Sequence, residues 1–489
     1  MTNFGEYTIT VGIECHIQLK TDTKLFASVG NDAREAAPNT LVSHICFGLP
    51  GALPVLNREA VHLAMRAAYA LGTEPQRFSK FDRKHYFYPD LPKGYQITQF
   101  DQPIVSGGHV DIVADGQPKR IGVTRAHMEE DAGKSTHPAG QDYSLVDLNR
   151  AGTPLLEIVS EPDMHTPAEA KAYARELYLL MKYADVSEAN LYYGNMRFDV
   201  NVSVSKTDKW GTRTETKNIN SFRAVEKVVE YEAKRQIAEL EAGNAIVQET
   251  RGWDDTKQVT ISQRTKEDAQ DYRYFPDPDI PPVALDDTYI QQVKDEMPVM
   301  PPEWRARLSN LGLDVSLIET LLENEVVDEQ VSYLPLLDEV QADASFAKTL
   351  ANWLVNIEIP LRTSGEVAMG TLKDAERLEL YRGVAQLLGA NKLSSTNAKQ
   401  LIADALMLDS LPADIAAFAN DKGYIQESDE GAIAAVVAEV IAANPKAAED
   451  VRSGEMKAIG FLTGQVMKAS QGKANPALAT QLIKKQLGL

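Results

Sequence analysis

The sequence predicts an α+β protein, on three observations. Up to about residue 290, apolar residues recur with period two in several stretches separated by a few capped helices. A proline-rich break follows, at Pro276–Pro282 and again at Pro298, Pro301 and Pro302. Beyond it the alternation disappears and helical periodicity runs to the C-terminus. A domain boundary is therefore expected near residue 292. A softer one is expected near Asp409–Pro412, where Leu-rich helices give way to an Ala-rich set. A chain of 489 residues accommodates roughly three domains of ordinary size.

The first strand is the clearest element. Ile9, Val11, Ile13, Cys15, Ile17 and Leu19 alternate with Thr10, Gly12, Glu14, His16, Gln18 and Lys20. Successive side chains of a strand point to opposite sides, so one face is apolar and the other carries Glu14 and His16 one pleat apart. By pattern alone a solvated sheet face is the plainer reading of that pair, and a shared cation or proton the chemical one. Cys15 points into the apolar layer.

Further along, Asn57 caps a helix through Val61, Ala64, Met65 and Ala68 to a stop at Gly72. Thr166-Pro167-Ala168-Glu169 is a capping box with proline at the first helical position, opening a helix to about Tyr183. Arg197, Asp199, Asn201 and Ser203 alternate with Phe198, Val200, Val202 and Val204, a second strand with one greasy and one functionalised face. Such a sheet would floor a polar cleft. A helix from Phe222 to Gly243 follows.

Composition narrows the functional classes. Two cysteines, Cys15 and Cys46, rule out a disulfide framework beyond a single bridge and fit a reducing cytoplasm. Residues 1–6 have neither a basic nor an apolar run, so no signal peptide is expected. The run Ala432–Ala443 reads as an Ala-rich helix too short to span a bilayer. A net charge of −20 argues against indiscriminate binding to nucleic acid, DNA included, or to anionic membranes. The last segment is the exception: Arg452, Lys457, Lys468, Lys473, Lys484 and Lys485 face one acid, Glu455. There Asn475 caps a helix whose first position is Pro476, beside Lys468 and Lys473, an arrangement suited to phosphate or to an ordinary helix joint.

Candidate chemistry gathers on carboxylates in apolar or glycine-rich surroundings: Glu14 with His16, Glu129 and Glu130, and Glu157 within Leu155–Val159. A carboxylate in an apolar run is costly unless paired or bound to a cation. For Glu157 an ion pair with Arg150 and a metal role are both open. Gly133-Lys134-Ser135-Thr136 resembles the end of a P-loop, but Met128 stands where that motif needs glycine.

Several long stretches also resemble one family. Phe81–Ile104, Arg125–Lys134, Asp147–Glu157, Lys217–Phe222, Asp271–Pro282 and Gly460–Pro476 are similar, in order, to the B subunit of aspartyl/glutamyl-tRNA(Asn/Gln) amidotransferases. The resemblance implies a cradle-like catalytic domain on a largely antiparallel sheet over residues 1–292. A helical domain over 293–410 and an all-α tail over 411–489 that touches tRNA would follow. It implies ATP-dependent phosphorylation of the side-chain carboxylate of Glu-tRNA(Gln), Asp-tRNA(Asn) or both. Amidation would then use ammonia from a partner amidase, the A subunit, in a heterotrimer completed by a small C subunit. No amidase Ser-Ser-Lys arrangement is evident in this chain. The family's metal and catalytic residues fall on Glu14, His16, Glu130 and Glu157. Beside them, Lys84, Lys93, Arg125, Arg150, Arg197 and Asp199 are candidates for ATP or substrate contacts, and Lys468, Lys473 and Asn475 for tRNA contacts. The expected metal is Mg²⁺; imidazole is an unusual ligand for it, so a water-mediated His16 and Mn²⁺ are both open.

The chain departs from the family in two places. A four-cysteine zinc site found in many members corresponds here to Ala27, Val29, Ser43 and Cys46, so no structural zinc is expected. The family's acidic, serine-containing run before the second strand reads Tyr192-Tyr193-Gly194-Asn195-Met196. Two rival functions are a non-catalytic tRNA-binding scaffold and a freestanding ATP-dependent carboxylate–amine ligase.

Overall fold

A computed structural model describes residues 4–265, 271–325, 332–368, 372–426, 430–455, 457–470 and 474–489. The chain divides into two compact units, Met1–Pro301 and Pro302–Leu489. The first contains the strands and the second is helical, so the α+β reading holds.

Five strands of the first unit matter most: β1 (Thr8–Gln18), β2 (Gln117–Glu130), β3 (Pro154–Ser160), β4 (Met196–Ser205) and β5 (Thr214–Ile219). They lie side by side in the order β5-β4-β1-β3-β2, every neighbour antiparallel, within a sheet of twelve strands. Glu249–Asp254 extends it beyond β5 as the parallel neighbour, and Tyr95–Thr98 extends it beyond β2. The strand with the longest alternation is thus central.

Period-two patterning sets the layers. Ile9, Val11, Ile13, Cys15, Ile17 and Leu19 are each at most 2% exposed. Burying a side chain of that size is worth about 1.5–3 kcal/mol, so this face fixes the register of β1. Helices α1 (Arg58–Ala70), α2 (Pro167–Tyr183) and α3 (Phe222–Glu241) cover it, sharing one core through Ala64, Tyr173, Leu177, Val225 and Val229. Their caps are the expected ones. Asn57, Thr166 and Ser221 side chains accept from the N–H groups of Glu59, Glu169 and Ala224. The Glu169 carboxylate reaches back to the His165 N–H at 2.6 Å, one residue further than a capping box requires. With helices on one side only, the opposite face of the central strands is left to polar groups.

The first unit runs past the boundary expected near 292. Helix α4 (Asp287–Asp295) spans that position and contributes Ile290 and Val293 to the first core. The proline-rich stretch before it belongs to the same unit: Phe275–Pro276 pairs with Asp82–Arg83 and Val283–Ala284 with Phe78–Ser79.

In the second unit, the expected break near 409–412 falls before a helix, Ile415–Asp421, that packs on Asp374–Gly389. A Cβ on Gly383 would lie 3.1 Å from Ile415, so the two helices meet at that glycine. A separate tail core begins at Ile433 and includes Val437, Val451, Leu462 and Ile483. Ala432–Ala443 lies within the helix Glu430–Ala443. Among the described residues no single helix is long and apolar enough to cross a membrane, although Glu430–Ala443 and Pro445–Arg452, bent by 99°, pass the same test jointly.

Candidate active site on the open face of the sheet

Direct cross-strand neighbours share a face, and the register brings four strands' polar residues together. His16 of β1 stands opposite Glu157 of β3 on one side and Arg197 of β4 on the other. Glu157 in turn stands opposite His127 of β2, with Glu129 two residues on. The result is a compact cluster. His16 Nε2 lies 3.5 Å from Glu157 and 3.7 Å from Glu129, and His127 Nε2 lies 3.3 Å and 3.9 Å from the same carboxylates.

A second trio adjoins the first. Glu14, Asp199 and Glu215 bring ligand atoms within 4.8 Å of one another, as do His16, Glu129 and Glu157. Lys217 pairs with both Asp199 (2.9 Å) and Glu215 (3.3 Å), and the Asn201 amide donates to Glu14 at 3.2 Å.

The protonation preferences follow from this crowding. Burial, then the charges of Glu157 and Glu215, push the Glu14 carboxyl up. Burial also pushes Glu157 up, but the charge and hydrogen bond of His127, then those of His16, outweigh it and hold Glu157 well below the usual range. Burial pulls His16 down; its bond to Glu157 and the charges of Glu157 and Glu129 overcome that and raise it to about 9. Carboxylates so close repel one another, and a divalent cation is the common remedy. The residues fit one: the first trio brings an imidazole nitrogen and two carboxylates together, and the second trio is the all-oxygen set that Mg²⁺ favours. The imidazole of the first trio is also compatible with Mn²⁺.

Of the four residues expected as ligands, Glu14, His16 and Glu157 share the face, and Glu130 does not. This is a correction. Glu130 continues the buried side of Ala126 and Met128, where its carboxylate accepts from the Lys93 ammonium and, at 2.9 Å, from the Ile97 N–H. Glu129 occupies the place expected of Glu130. The reason is a bulge. Core residues of β2 are odd-numbered at Ile121 and Val123 and even-numbered at Ala126 and Met128, because the register with β3 shifts between Val159 and Ser160. His127, Glu215 and Lys217 also join the face without having been singled out. His127 carried the available signal, since it shares parity with Glu129.

The expected contact residues separate in the same way. His16, Lys84, Glu129, Asp131, Arg197 and Asp199 all line an open recess of about 600 Å³. Lys84 sits 5.0 Å from the Tyr272 ring; burial lowers its pKa, but the charge of Glu129 leaves it raised. Arg197 is raised chiefly by Asp131, to which it donates at 3.2 Å. Lys93 lies with Glu130, away from the recess. Arg125, beside Val159 in the ladder, has a buried Nε without a hydrogen-bond partner among the described residues. Arg150 does not meet Glu157: it bonds Asp131 at 3.2 Å and the carbonyls of Ala132 and Gly133.

At the tail, Asn475 is a helix cap, its Oδ1 accepting from Ala477 at 2.9 Å and Leu478 at 3.3 Å. The cap therefore uses N–H groups that were expected to be open to phosphate. Lys468 is exposed in the last turn of Lys457–Ala469, and Lys473 lies outside the described residues. Of the four positions of the expected lost zinc set, Cys46 lies 3.5 Å from the buried Lys24 ammonium and 3.6 Å from Ser43 Oγ.

Comparison with known proteins agrees with this architecture. Residues 9–291 match the family model described as the GatB/GatE catalytic domain, and residues 336–487 match that of the GatB domain. The chain is 43% identical over 491 residues to the B subunit of the aspartyl/glutamyl-tRNA(Asn/Gln) amidotransferase of Carboxydothermus hydrogenoformans, covering 99% of each chain. It is 43% identical over 492 residues to that of Moorella thermoacetica, covering 99% of this chain and 100% of the relative. It is 44% identical over 489 residues to that of Alkalilimnicola ehrlichii, covering 99% of each. The chain belongs to the family formed by the B subunits of aspartyl/glutamyl-tRNA(Asn/Gln) amidotransferases.

Proposed function

We propose that this chain activates and amidates the side-chain carboxylate of Glu-tRNA(Gln), Asp-tRNA(Asn) or both, within a complex whose amidase subunit supplies ammonia and which a small third subunit completes. The observation that carries the reading is the meeting of Glu14, His16, Glu129, Glu157 and Asp199 on one sheet face with Lys84, Arg197 and Lys217 beside them. Phosphoryl transfer needs positioning and charge neutralisation more than covalent help, and that face supplies both.

The chemistry follows from the substrate. A free carboxylate is a poor acyl donor because oxide would have to leave. Transfer of the γ-phosphoryl group of ATP to a carboxylate oxygen releases ADP and gives an acyl phosphate. Ammonia then attacks the carbonyl carbon, the C–N bond forms, the C–O bond to phosphate breaks, and a proton leaves the nitrogen. Glu14, Asp199 and Glu215, with His16, Glu129 and Glu157 adjoining, would hold Mg²⁺ or Mn²⁺, whose charge neutralises phosphate oxygens. Lys84 and Arg197 orient anionic oxygens in the recess, the guanidinium matching a carboxylate in two-point fashion.

The division of labour is part of the proposal: a catalytic domain, expected over residues 1–292 and carried on to the end of the first unit, then a helical domain to about residue 410, and a tail over 411–489 that contacts tRNA through its basic surface, Lys468 included. So is a cytoplasmic site of action. The clustered site favours catalysis over a scaffold role, and the basic tail favours an RNA-borne substrate over a free amino acid. The test is a transamidation assay on the chain co-purified with its partner subunits, with ATP, glutamine or ammonia, and each misacylated tRNA. Amide formed on at least one acylated tRNA, dependent on ATP, is expected. Amidation of free glutamate or aspartate instead would replace this reading with the freestanding ligase.

A further inference from the structure

Three recesses lie along β1. One, of about 860 Å³, is lined by Thr10, Gly12 and Glu14 with the exposed Trp210 at its edge. The central one holds His16 and the chemistry. The third, of about 1470 Å³, begins where β1 ends, at Gln18, Leu19 and Lys20, and has Tyr193 among its walls. Two anionic substrates must meet at the centre, and the side chains at the two ends differ. Toward the first recess stand the carboxylates Glu14, Asp199 and Glu215, suited to metal-bound phosphates. Toward the third stand the guanidinium groups of Arg197 and Arg150, both bonded to Asp131 at 3.2 Å, suited to a carboxylate.

At the rim of the third recess two aromatic rings face water. Tyr192 is 87% exposed and Tyr193 55%, their centroids 5.2 Å apart and their planes at 78°, edge to face. They are held rather than loose. Both backbone N–H groups donate to Asn190 Oδ1, and Asn195 is tied to Gln18 through its carbonyl (2.7 Å) and its amide (3.0 Å). The Arg34 guanidinium lies 5.6 Å over the Tyr193 ring, itself fixed by Asp32 (2.7 Å) and Glu188 (2.9 Å). Exposed aromatic rings on an anchored turn, backed by a guanidinium plane, are what unpaired nucleobases stack on. The recess is balanced in charge, with Lys20, Arg34, Lys134 and Arg150 against Asp22, Asp32, Asp147 and Glu188, so stacking and not phosphate attraction would carry recognition.

We propose that one ring of the edge-to-face pair Tyr192–Tyr193, braced by the other, stacks the unpaired 3′-terminal adenosine of the acylated tRNA, presenting its amino acid to Arg150 and Arg197. The proposal rests on the function given above. In the assembled complex, Tyr192→Ala with Tyr193→Ala raises KM for the acylated tRNA about five- to one hundred-fold and leaves kcat and the KM for ATP unchanged. Tyr192→Phe with Tyr193→Phe restores it, because the ring faces remain. A purely structural role would lower kcat instead. A second readout is acylated tRNA carrying 2-aminopurine as its terminal base, whose fluorescence is quenched on binding the wild-type complex and not on binding the double alanine variant. An unchanged KM with the quench retained overturns the platform. A rise in the KM for ATP alone overturns it too, assigning the turn to the other nucleotide. Absence of amide formation by the wild-type complex on either tRNA would sink the functional reading, and the quench would still decide the platform separately.

Discussion

Two carboxylates of the first unit, Glu232 and Glu157, sit beside basic side chains, and they are built to opposite ends. Glu232, on α3, is fully buried and its oxygens are saturated by fixed donors: Thr214 at 2.7 Å, Arg235 at 2.7 and 3.0 Å, Arg251 at 3.1 Å, and the Thr260 hydroxyl. Arg251 also pairs with a second carboxylate, Glu249, so two guanidinium groups and two hydroxyls serve that network. Among the described residues Glu157 pairs only with imidazoles, at 3.3 and 3.5 Å, with a second carboxylate sharing both of them and an open recess alongside. A saturated buried charge fastens elements together; an undersatisfied one in a crowd of like charges is poised for something that arrives. The contrast separates a staple from a site without reference to any relative.

The largest effect should therefore come from Glu157. Glu157→Gln is expected to lower ammonia-dependent amide formation by about 10²- to 10³-fold, the range seen when one electrostatic partner of a transition state is removed. A thermal melt should still show a cooperative transition, since the amide can bond either imidazole. Turnover within twofold of wild type would return Glu157 to the class of Glu232.

At Glu232 the same substitution should act on stability. Glu232→Gln is expected to cost about 1–3 kcal/mol in denaturant unfolding, through broken charge-assisted bonds, with turnover of the folded fraction kept. Its pH dependence has a definite sign. Burial alone would push Glu232 up, but its bonds to Arg235 and Thr260 hold the folded carboxyl below its ordinary value. The stability it contributes is complete above the unfolded pKa of about 4.3 and is lost as pH falls through the lower folded value. The wild-type chain should lose stability below pH ~4 more steeply than the variant. Parallel acid limbs would mean that Glu232 is not the staple.

How far the sequence could carry this contrast depends on locality. The alternation of Ile9 to Leu19 announced β1 and its faces, because parity within a strand is local and the apolar set has only one way to be buried. The caps at Asn57 and Thr166 were legible for the same reason. Neighbours across the sheet were not. Nothing in the chain says that β1 sits between β3 and β4, so Glu157 could be paired on paper with Arg150, which the fold gives to Asp131. The bulge was hidden too. It exists where the partner of β3 steps from Arg125 to Val123 and leaves Thr124 unpaired in that ladder, beside a Ser160 whose hydroxyl accepts from the Ile13 N–H at 2.9 Å, a long-range arrangement with no signature in residues 124–130.

That bulge yields the smallest and sharpest test, on two adjacent residues. Glu129 and Glu130 are each 4% exposed and differ by one position, yet the flipped parity gives one to the cluster and the other to Lys93. Metal binding should tell them apart where burial cannot. With Mn²⁺ as the probe and full-length protein, Glu129→Gln is expected to weaken binding about tenfold, or 1.4 kcal/mol, by removing one of three donors. Glu130→Gln should leave the dissociation constant within about twofold, since its carboxylate faces the other side of the strand. Activity is not the readout here, because Lys93 loses its partner in the Glu130 variant. If Glu130→Gln weakens Mn²⁺ as much as Glu129→Gln does, the parity after Val123 is wrong, and the cluster must be rebuilt around the ungapped alternation.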